Sequence, residues 1–440
     1  MLDAYAFVHW FRNAAPYINA FRGRTFVLTF GGECVADEEF ACLIHDIALL
    51  NSLGVKLVLV HGARPQIEQV LAQQGITTHT HQNVRITDTA ALPGVKQAVG
   101  AVRMEIEALL TMGVTNSPMA GARLRVASGN FVTAQPMGIH DGVDHCHTGE
   151  VRRVDGEAIH QLLTQGYIVL LSPMGYSPTG EAFNLLAEDV AISTCRSLKA
   201  DKLIYLTESS ELVDENNQRI RELTPSQAQQ LIQYNAALTD KSKRYLQDAA
   251  ALCQEGLHRA HLIPRHVDGA LLQELFTRDG IGTLISSDRF EGTRQASIDD
   301  VGGILELLAP LEQQGTLVRR SRERLEQEIE RFTVVERDGA IIGCAALYPY
   351  TEHSMAELAC VAIHPDYRGS SRGEALTSYI EQQAKQLGMQ TIFVLTTRTA
   401  HWFIERGYTE ADISKLPLQK QGLYNYQRKS KIFSKPLADH

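Results

Sequence analysis

Two spacings of apolar residues alternate along the first two-thirds of the chain. Thr25–Phe30, Lys56–His61, Ile168–Ser172, Lys202–Thr207 and Ala260–Ile263 are short, apolar at consecutive positions and rich in β-branched residues, as strands buried on both faces are. Between them, Glu38–Ser52, Arg64–Gln74, Leu92–Gly113, Glu157–Gln165, Val190–Leu198 and Lys243–Glu255 carry apolar residues at helical spacing. Strand and helix in alternation predict a mostly parallel sheet covered by helices. Arg123–Ala127 and Phe131–Gln135 are shorter and predict a hairpin. Ahead of the first strand, Leu2, Ala6, Val8, Trp10 and Ile18 suit an amphipathic helix interrupted near Pro16.

The alternation stops at Ser286–Arg294, S-S-D-R-F-E-G-T-R, a polar, turn-rich stretch that reads as a linker. After it come helices at Ile298–Gln314 and Arg322–Glu330 and a hairpin, Thr333–Glu336 with Ile341–Tyr348, turning at Asp338–Gly339. A strand at Met355–Ile363, a helix at Ser371–Leu387, a strand at Thr391–Thr396, a helix at Ala400–Arg406 and a late strand near Leu423–Ile432 complete a second, α+β domain. The expected division is an N-terminal helix (1–20), an α/β domain (21–285), a linker (286–294) and the α+β domain (295–440).

Composition narrows the function classes. A net charge of -9 argues against a nucleic-acid partner held by a global basic field. No apolar run approaches the ~20 residues that cross a bilayer. The seven cysteines are scattered and never spaced C-x-x-C, which reads as a reduced, cytoplasmic chain. H-D-G-V-D-H-C-H, His140–His147, offers metal-ligating side chains. On a strand only His145 and His147 would share a face, too few for a site, so no metal is expected.

The segment A-E-L-A-C-V-A-I-H-P-D-Y-R-G-S-S-R-G-E-A-L, Ala356–Leu376, holds the candidate chemistry. A strand ends at Ile363, Pro365 breaks it, and small residues open a helix whose unpaired N–H groups and dipole suit a pyrophosphate. Gly369, Ser370, Ser371 and Gly373 admit the anion; Arg368 and Arg372 add charge. Arg368-Gly369-Ser370-Ser371-Arg372-Gly373 resembles the [QR]-x-x-G-x-[GA] pattern of the GNAT acetyltransferase superfamily, with Ser371 where Gly is usual. Thr396–Tyr408 looks like the next strand and helix of that fold, with Phe403 where many members carry a general-acid Tyr.

That resemblance implies acetyl-CoA as co-substrate, held by Val361, Ala362, Ile363, Arg368–Gly373 and Glu374, and transfer to an amine. An amine is protonated at neutral pH and needs a base. Glu357, a carboxylate in an apolar strand beside the cofactor turn, is the candidate. Backbone N–H groups of Cys360–Ala362 are placed to stabilise the thioester oxyanion. Cys360 is read as a wall of the substrate pocket. Arg319, from the pair Arg319–Arg320, and Arg428 are candidate clamps for a dicarboxylate, with Thr396 beside them.

The first domain resembles the amino-acid kinase family. The resemblance rests on F-V-L-T-F-G-G (26–32), L-V-L-V-H-G-A-R-P-Q-I (57–67), A-D-K-L-I-Y-L-T (200–207) and H-V-D-G-A-L-L-Q-E-L-F-T-R-D-G-I-G-T (266–283). Its phosphate-binding Lys is Thr29 here, two of its glycines are Ala63 and Arg64, and the Asp of N-x-N-A-D is Glu188. Phosphoryl transfer needs those cations and N–H donors, so a domain that binds without phosphorylating is expected.

A kinase-like domain followed by a GNAT domain resembles the bacterial-type N-acetylglutamate synthase family over nearly the whole chain. This implies acetyl transfer to the α-amine of L-glutamate, opening arginine biosynthesis, and feedback inhibition by L-arginine. The effector residues carried over are Tyr17, Lys202, His266, Glu274 and Gly280–Gly282, with the Glu274 carboxylate for a guanidinium. The resemblance also implies a homo-hexamer. A kinase with an appended acyltransferase, or a non-catalytic amino-acid and acyl-CoA sensor, are the alternatives.

Overall fold

The computed structural model describes residues 4–112, 119–208, 212–214, 218–235, 238–277, 279–287, 291–315, 317–337, 339–368, 372–422 and 430–437. Two compact units, residues 1–288 and 289–440, divide the chain.

In the first unit the described residues build an eight-stranded sheet. Its order is Glu222–Leu223, Thr283–Ile285, Arg259–Pro264, Lys202–Thr207, Thr25–Phe30, Lys56–His61, Tyr167–Leu171, Arg125–Ala127. All neighbours run parallel except Arg259–Pro264 with Thr283–Ile285. Strand alternation assigns each residue to a face. Phe26, Leu28, Leu57, Leu59 and Ile204 enter one core with the helices Phe40–Ser52 and Ala91–Thr111. Val27, Val58, Val60, Leu203 and Tyr205 enter the other, with Ala187–Leu198 and Asp240–Gln254. This double burial is why the strands read as unbroken apolar runs.

Several expectations are corrected. The N-terminal helix runs unbroken from Ala4 to Phe21 through Pro16. Pro16 is exposed, so water can take the carbonyl bond that its missing N–H forfeits. Arg125–Ala127 and Val132–Pro136 do not form a hairpin. The former extends the main sheet beside Tyr167–Leu171, and the latter joins a separate four-stranded sheet. The linker is shorter than read, because Glu291–Gln295 is a strand paired antiparallel with Phe332–Arg337. The left-handed turn at Cys146 breaks the strand expected over His140–His147. His145 therefore faces His81 and His140, while His147 lies against Phe183.

Of the buried histidines of the first unit, His61 and His261 have depressed pKa values. His61 contacts the Gly62 carbonyl and Ser172 Oγ, and burial pushes its pKa down to about 4. Burial, then the charge of Lys202, brings His261 to about 4. Both values are depressed, so the stabilisation is complete above pH 6.5 and is lost as pH falls through the folded values. Each histidine is expected to contribute roughly 3 kcal/mol of this acid sensitivity. Thermal unfolding between pH 7 and 4 checks it, and His61→Asn should flatten part of the slope.

In the second unit the described strands form one seven-stranded sheet: Glu291–Gln295, Phe332–Arg337, Ala340–Tyr350, Met355–Ile363, Thr391–Thr396, Lys431–Pro436, Thr409–Ala411. The late strand expected near Leu423–Ile432 is Lys431–Pro436; residues 423–429 lie outside the described residues. One neighbour pair is parallel, Met355–Ile363 with Thr391–Thr396, and its register ends at Glu357↔Phe393. Beyond that point the two strands part. The helix Arg372–Gln386 covers one face through Leu376, Ile380 and Ala384. Val301–Gln313 covers the other through Ile304, Leu307 and Leu308.

Candidate active site

The parting of the two parallel strands opens a cleft of about 480 Å³. One wall is Leu358–Ile363, the other Val394–Thr399, and Arg368, Gly373, Glu374, Trp402 and Arg406 line the mouth. A bulge shapes the first wall. Cys344 pairs with Ala362 but Ala346 with Ala359, so Cys360 and Val361 stand opposite one residue. Cys360 has φ +54°, a left-handed conformation that an unbranched residue adopts only at a cost of order 1–3 kcal/mol. Such bulges re-aim backbone and side chains at sheet rims. Here the bulge lies where the strand has lost its ladder partner, so the wall presents backbone groups to the cleft.

Of the residues expected to hold acetyl-CoA, Val361, Ala362, Ile363, Arg368, Gly373 and Glu374 all line this cleft. Gly369, Ser370 and Ser371 lie outside the described residues. Arg368 Nε donates to the Ile363 carbonyl at 3.1 Å, tying the turn to the end of the strand. The Arg372 guanidinium lies 5.5 Å over the ring of Tyr367, itself a residue of the cleft lining. A Cβ on Gly373 would come within 3.3 Å of Trp402 Cζ2, so the residue is glycine because the indole packs there.

Arg406 escaped the sequence reading. It stacks 4.0 Å over Trp402 and reaches Glu374 at 3.6 Å. With Arg368 and Arg398 it gives the cleft three guanidinium groups. The signal was the four-residue spacing from Trp402 to Arg406, which the turn after the helix Ala400–Ile404 preserves.

Cys360 and Thr396 also line the cleft. Burial pushes the Cys360 thiol up to about 11, which keeps it protonated and a wall rather than a nucleophile. Thr396 Oγ1 accepts the Thr399 N–H at 3.1 Å and shares a hydrogen bond with Thr399 Oγ1 at 2.8 Å.

The arginine pair divides by burial. Arg319 is exposed, whereas the partly buried Arg320 lies near Cys360, Tyr348 and Glu328, with a buried Nε that has no partner. Neither is among the residues that line the cleft. Arg428 lies outside the described residues.

Glu357 is 6% exposed. Its Oε1 lies 2.7 Å from Lys420 Nζ, and its Oε2 accepts from Tyr350 Oη at 3.4 Å. Phe403, standing where many relatives carry a Tyr, is buried against Trp402 and Tyr408 and offers no proton.

A second constellation sits in the first unit. Glu274 accepts from His261 Nδ1 at 2.7 Å and from the backbone N–H groups of Ile281 at 2.7 Å and Gly282 at 2.6 Å. Burial acts to raise its pKa, but the His261 bond and the two amides outweigh it and hold the carboxyl at about 2. His261, with its own value near 4, is neutral at pH 7. The His261–Glu274 contact is thus a hydrogen bond to a carboxylate rather than an ion pair. That assigns the proton to Nδ1 and leaves Nε2 to accept from Lys202 Nζ at 3.2 Å. Lys202 also lies 5.0 Å over Phe21, which packs on Tyr17 and Phe276. Tyr17, Lys202, Glu274 and Gly282 are therefore neighbours in one region.

His266 is not among them. It stands beyond the far end of the Arg259–Pro264 strand, 3.4 Å from Glu208. His261 takes the place expected for it. The available signal was a polar residue inside the apolar run A-H-L-I-P.

At the kinase-like positions Thr29 and Ala63 are buried, and Arg64 is spent on Glu68 at 3.5 Å. The Glu188 carboxylate is 3.5 Å from Tyr245 Oη.

A splayed pair of parallel strands, a bulged wall and a helix opening after a basic turn define an acetyl-CoA-dependent acetyltransferase of the GNAT class, joined to an amino acid kinase-like domain. The Amino acid kinase family matches residues 24–264, and the Acetyltransferase (GNAT) family matches residues 303–408. An amino-acid acetyltransferase of Vibrio vulnificus is 53% identical over 439 residues, covering 98% of this chain and 99% of its own. One of Pseudomonas putida is 54% identical over 431 residues, with the same coverage, 98% and 99%. The crystal structure of N-acetylglutamate synthase from Neisseria gonorrhoeae, complexed with coenzyme A and L-arginine, is 37% identical. It superposes with a TM-score of 0.87 over 98% of this chain and 100% of that one. A second structure of that synthase, complexed with coenzyme A and N-acetyl-glutamate, gives 0.62 with the same coverage, 98% and 100%. The chain belongs to the amino-acid acetyltransferase family.

Proposed function

We propose that the chain transfers the acetyl group of acetyl-CoA to the α-amine of L-glutamate, the opening step of arginine biosynthesis, and that L-arginine inhibits it through the kinase-like domain. The observation that carries this reading is the cleft between the parted strands. It has the guanidinium groups of Arg368, Arg398 and Arg406 for the phosphates of CoA, and Arg320 lies close to Cys360 of its wall. A guanidinium suits a carboxylate as it does a phosphate. Glu357 acts as base on the substrate ammonium, and the bulged Cys360–Ala362 backbone stabilises the oxyanion. The gonococcal synthase, crystallised with N-acetyl-glutamate and with L-arginine, supports the choice of substrate and effector.

The effector reading places L-arginine beside Tyr17, Lys202, His261 and the Gly280–Gly282 turn. Glu274, already taken by three donors, holds that turn in shape. Without the cationic Lys at position 29 and with Ala63 and Arg64 in the glycine-rich turn, the domain has no means of phosphoryl transfer. Seven cysteines, all free thiols, support a cytoplasmic location, and the family resemblance supports a homo-hexamer.

The deciding experiment is acetyl-CoA consumption across the amino acids, with and without L-arginine. L-Glutamate is expected to be turned over at least tenfold faster than L-aspartate, because one methylene less moves a carboxylate off its clamp and strands a buried guanidinium. Arginine is expected to suppress the glutamate rate. Equal turnover of both acids would overturn the substrate assignment, and ATP-dependent phosphorylation of acetylglutamate would overturn the reading of the first domain.

A further inference from the structure

The base assigned above is not open to the cleft. The described wall begins at Leu358. Glu357, one residue earlier, is covered by Lys420, whose ammonium is 2.7 Å from Oε1, on the short helix Leu418–Gly422. Tyr350 Oη occupies Oε2 at 3.4 Å. A buried carboxylate needs a countercharge, and the one present is a primary ammonium, the same group that the amino-acid substrate brings. The lysine side chain is about a fifth exposed, carried on a flexible four-carbon stem, so it can withdraw to water without any movement of the backbone.

Building on the reading of Glu357 as the base, we propose that Lys420 is a resident stand-in for the substrate ammonium. The α-ammonium of the incoming amino acid displaces Lys420 from Glu357, charge for charge, so the buried carboxylate is never left without a cation. Once Lys420 has gone, the Glu357 carboxylate takes one proton from the substrate. The freed lone pair forms the C–N bond to the thioester carbon, and the C–S bond breaks. A second amine proton neutralises the departing CoA thiolate. The third stays on the product amide, which carries no charge and cannot hold the carboxylate. Lys420 then returns, and the Glu357 proton is released to water. Lys420 is thus a positioning residue: it supplies the countercharge of the base between turnovers and sets a competition that only a cationic amine wins. Among the described residues, Tyr350 and Cys360 are further titratable groups that feel the Glu357 charge. Arg331 acts on Tyr350, and Arg320 acts on Cys360.

The test is the pH profile of kcat/KM for L-glutamate in the full-length enzyme and in Lys420→Met, Lys420→Gln and Lys420→Arg. Removing the cation favours the neutral carboxyl. In the Met and Gln variants the acid limb should therefore move to higher pH. Above that limb kcat/KM should rise roughly threefold or more, since the competent state no longer has to be freed. Lys420→Arg should keep the wild-type limb. The KM for acetyl-CoA should stay unchanged in all three, which also reports that the domain is folded. Profiles of wild-type shape, merely scaled down at every pH, would overturn the proposal and make the ion pair structural. Glu357→Gln separates the two readings. If it retains turnover, the assignment of the base fails. If it is inactive while the Lys420 profiles keep wild-type shape, only the stand-in role fails.

Discussion

Glu357→Gln is expected to lower kcat for acetyl transfer by about 10²–10⁴-fold while leaving the affinity for acetyl-CoA within a factor of two or so of wild type. The amide keeps the volume and the Tyr350 contact of the carboxylate but cannot accept a proton at neutral pH. The cost to the fold is contained, because Lys420 is partly exposed and can turn to water when its partner is gone. The groups that line the mouth of the cleft, Arg368, Arg398, Arg406 and Gly373, belong to other elements and keep their places. Turnover at saturating substrates gives the first quantity and calorimetric titration with coenzyme A the second. If both fell by the same factor, Glu357 would be a structural residue, and the base would have to be sought elsewhere in the cleft.

Glu274→Ala is expected to destabilise the first unit by about 3–5 kcal/mol, the cost of removing one member of a buried charged network, and to abolish inhibition by L-arginine. The carboxylate joins His261, Ile281 and Gly282, and its loss leaves three donors unpaired in the interior. The pH dependence has a definite sign. The folded value, about 2, lies below the ordinary value of 4.5. The stabilisation from Glu274 is therefore complete above pH 4.5 and lost as pH falls toward 2. Glu274→Gln separates stability from signalling. It keeps an acceptor for one or two of the donors, so it should recover part of the melting temperature, yet its Nε2 faces a donor and leaves the Gly280–Gly282 turn altered. Melting curves and arginine titrations of both variants provide the check. A Glu274→Ala protein with wild-type melting and wild-type inhibition would remove the residue from the effector site.

Particular residues show how far the sequence reaches. The central strands of the first unit are legible because burial on both faces leaves no polar residue to blur them. Thr25–Phe30, Lys56–His61 and Lys202–Thr207 are found at the boundaries read from the chain. Arg125–Ala127 is misread because a three-residue segment carries no information about which strand it will join, and Pro16 because its exposure removes the penalty that breaks a buried helix. The acetyl-CoA turn is legible because phosphate recognition is local: glycines, small residues and arginines within six positions suffice.

The proposed substrate and effector sites are not local. Arg319 and Arg320 are chemically identical in sequence, and only burial separates them, with Arg320 partly buried and Arg319 exposed. His266 opens the kinase-like segment 266–283 and His261 stands five positions before it, which is enough to separate the end of the sheet from its interior. Lys420 lies sixty-three positions from Glu357, with no motif joining them. By itself the sequence determined the two domains and offered the acetyl-CoA turn and the base as candidates, because apolar periodicity and short-range phosphate chemistry are written within a few residues. The tertiary structure alone decided which of the two arginines is partly buried, which histidine holds Glu274 and which ammonium covers Glu357. Long-range charge pairing is settled by packing, where burial makes an unpaired charge too costly to leave alone.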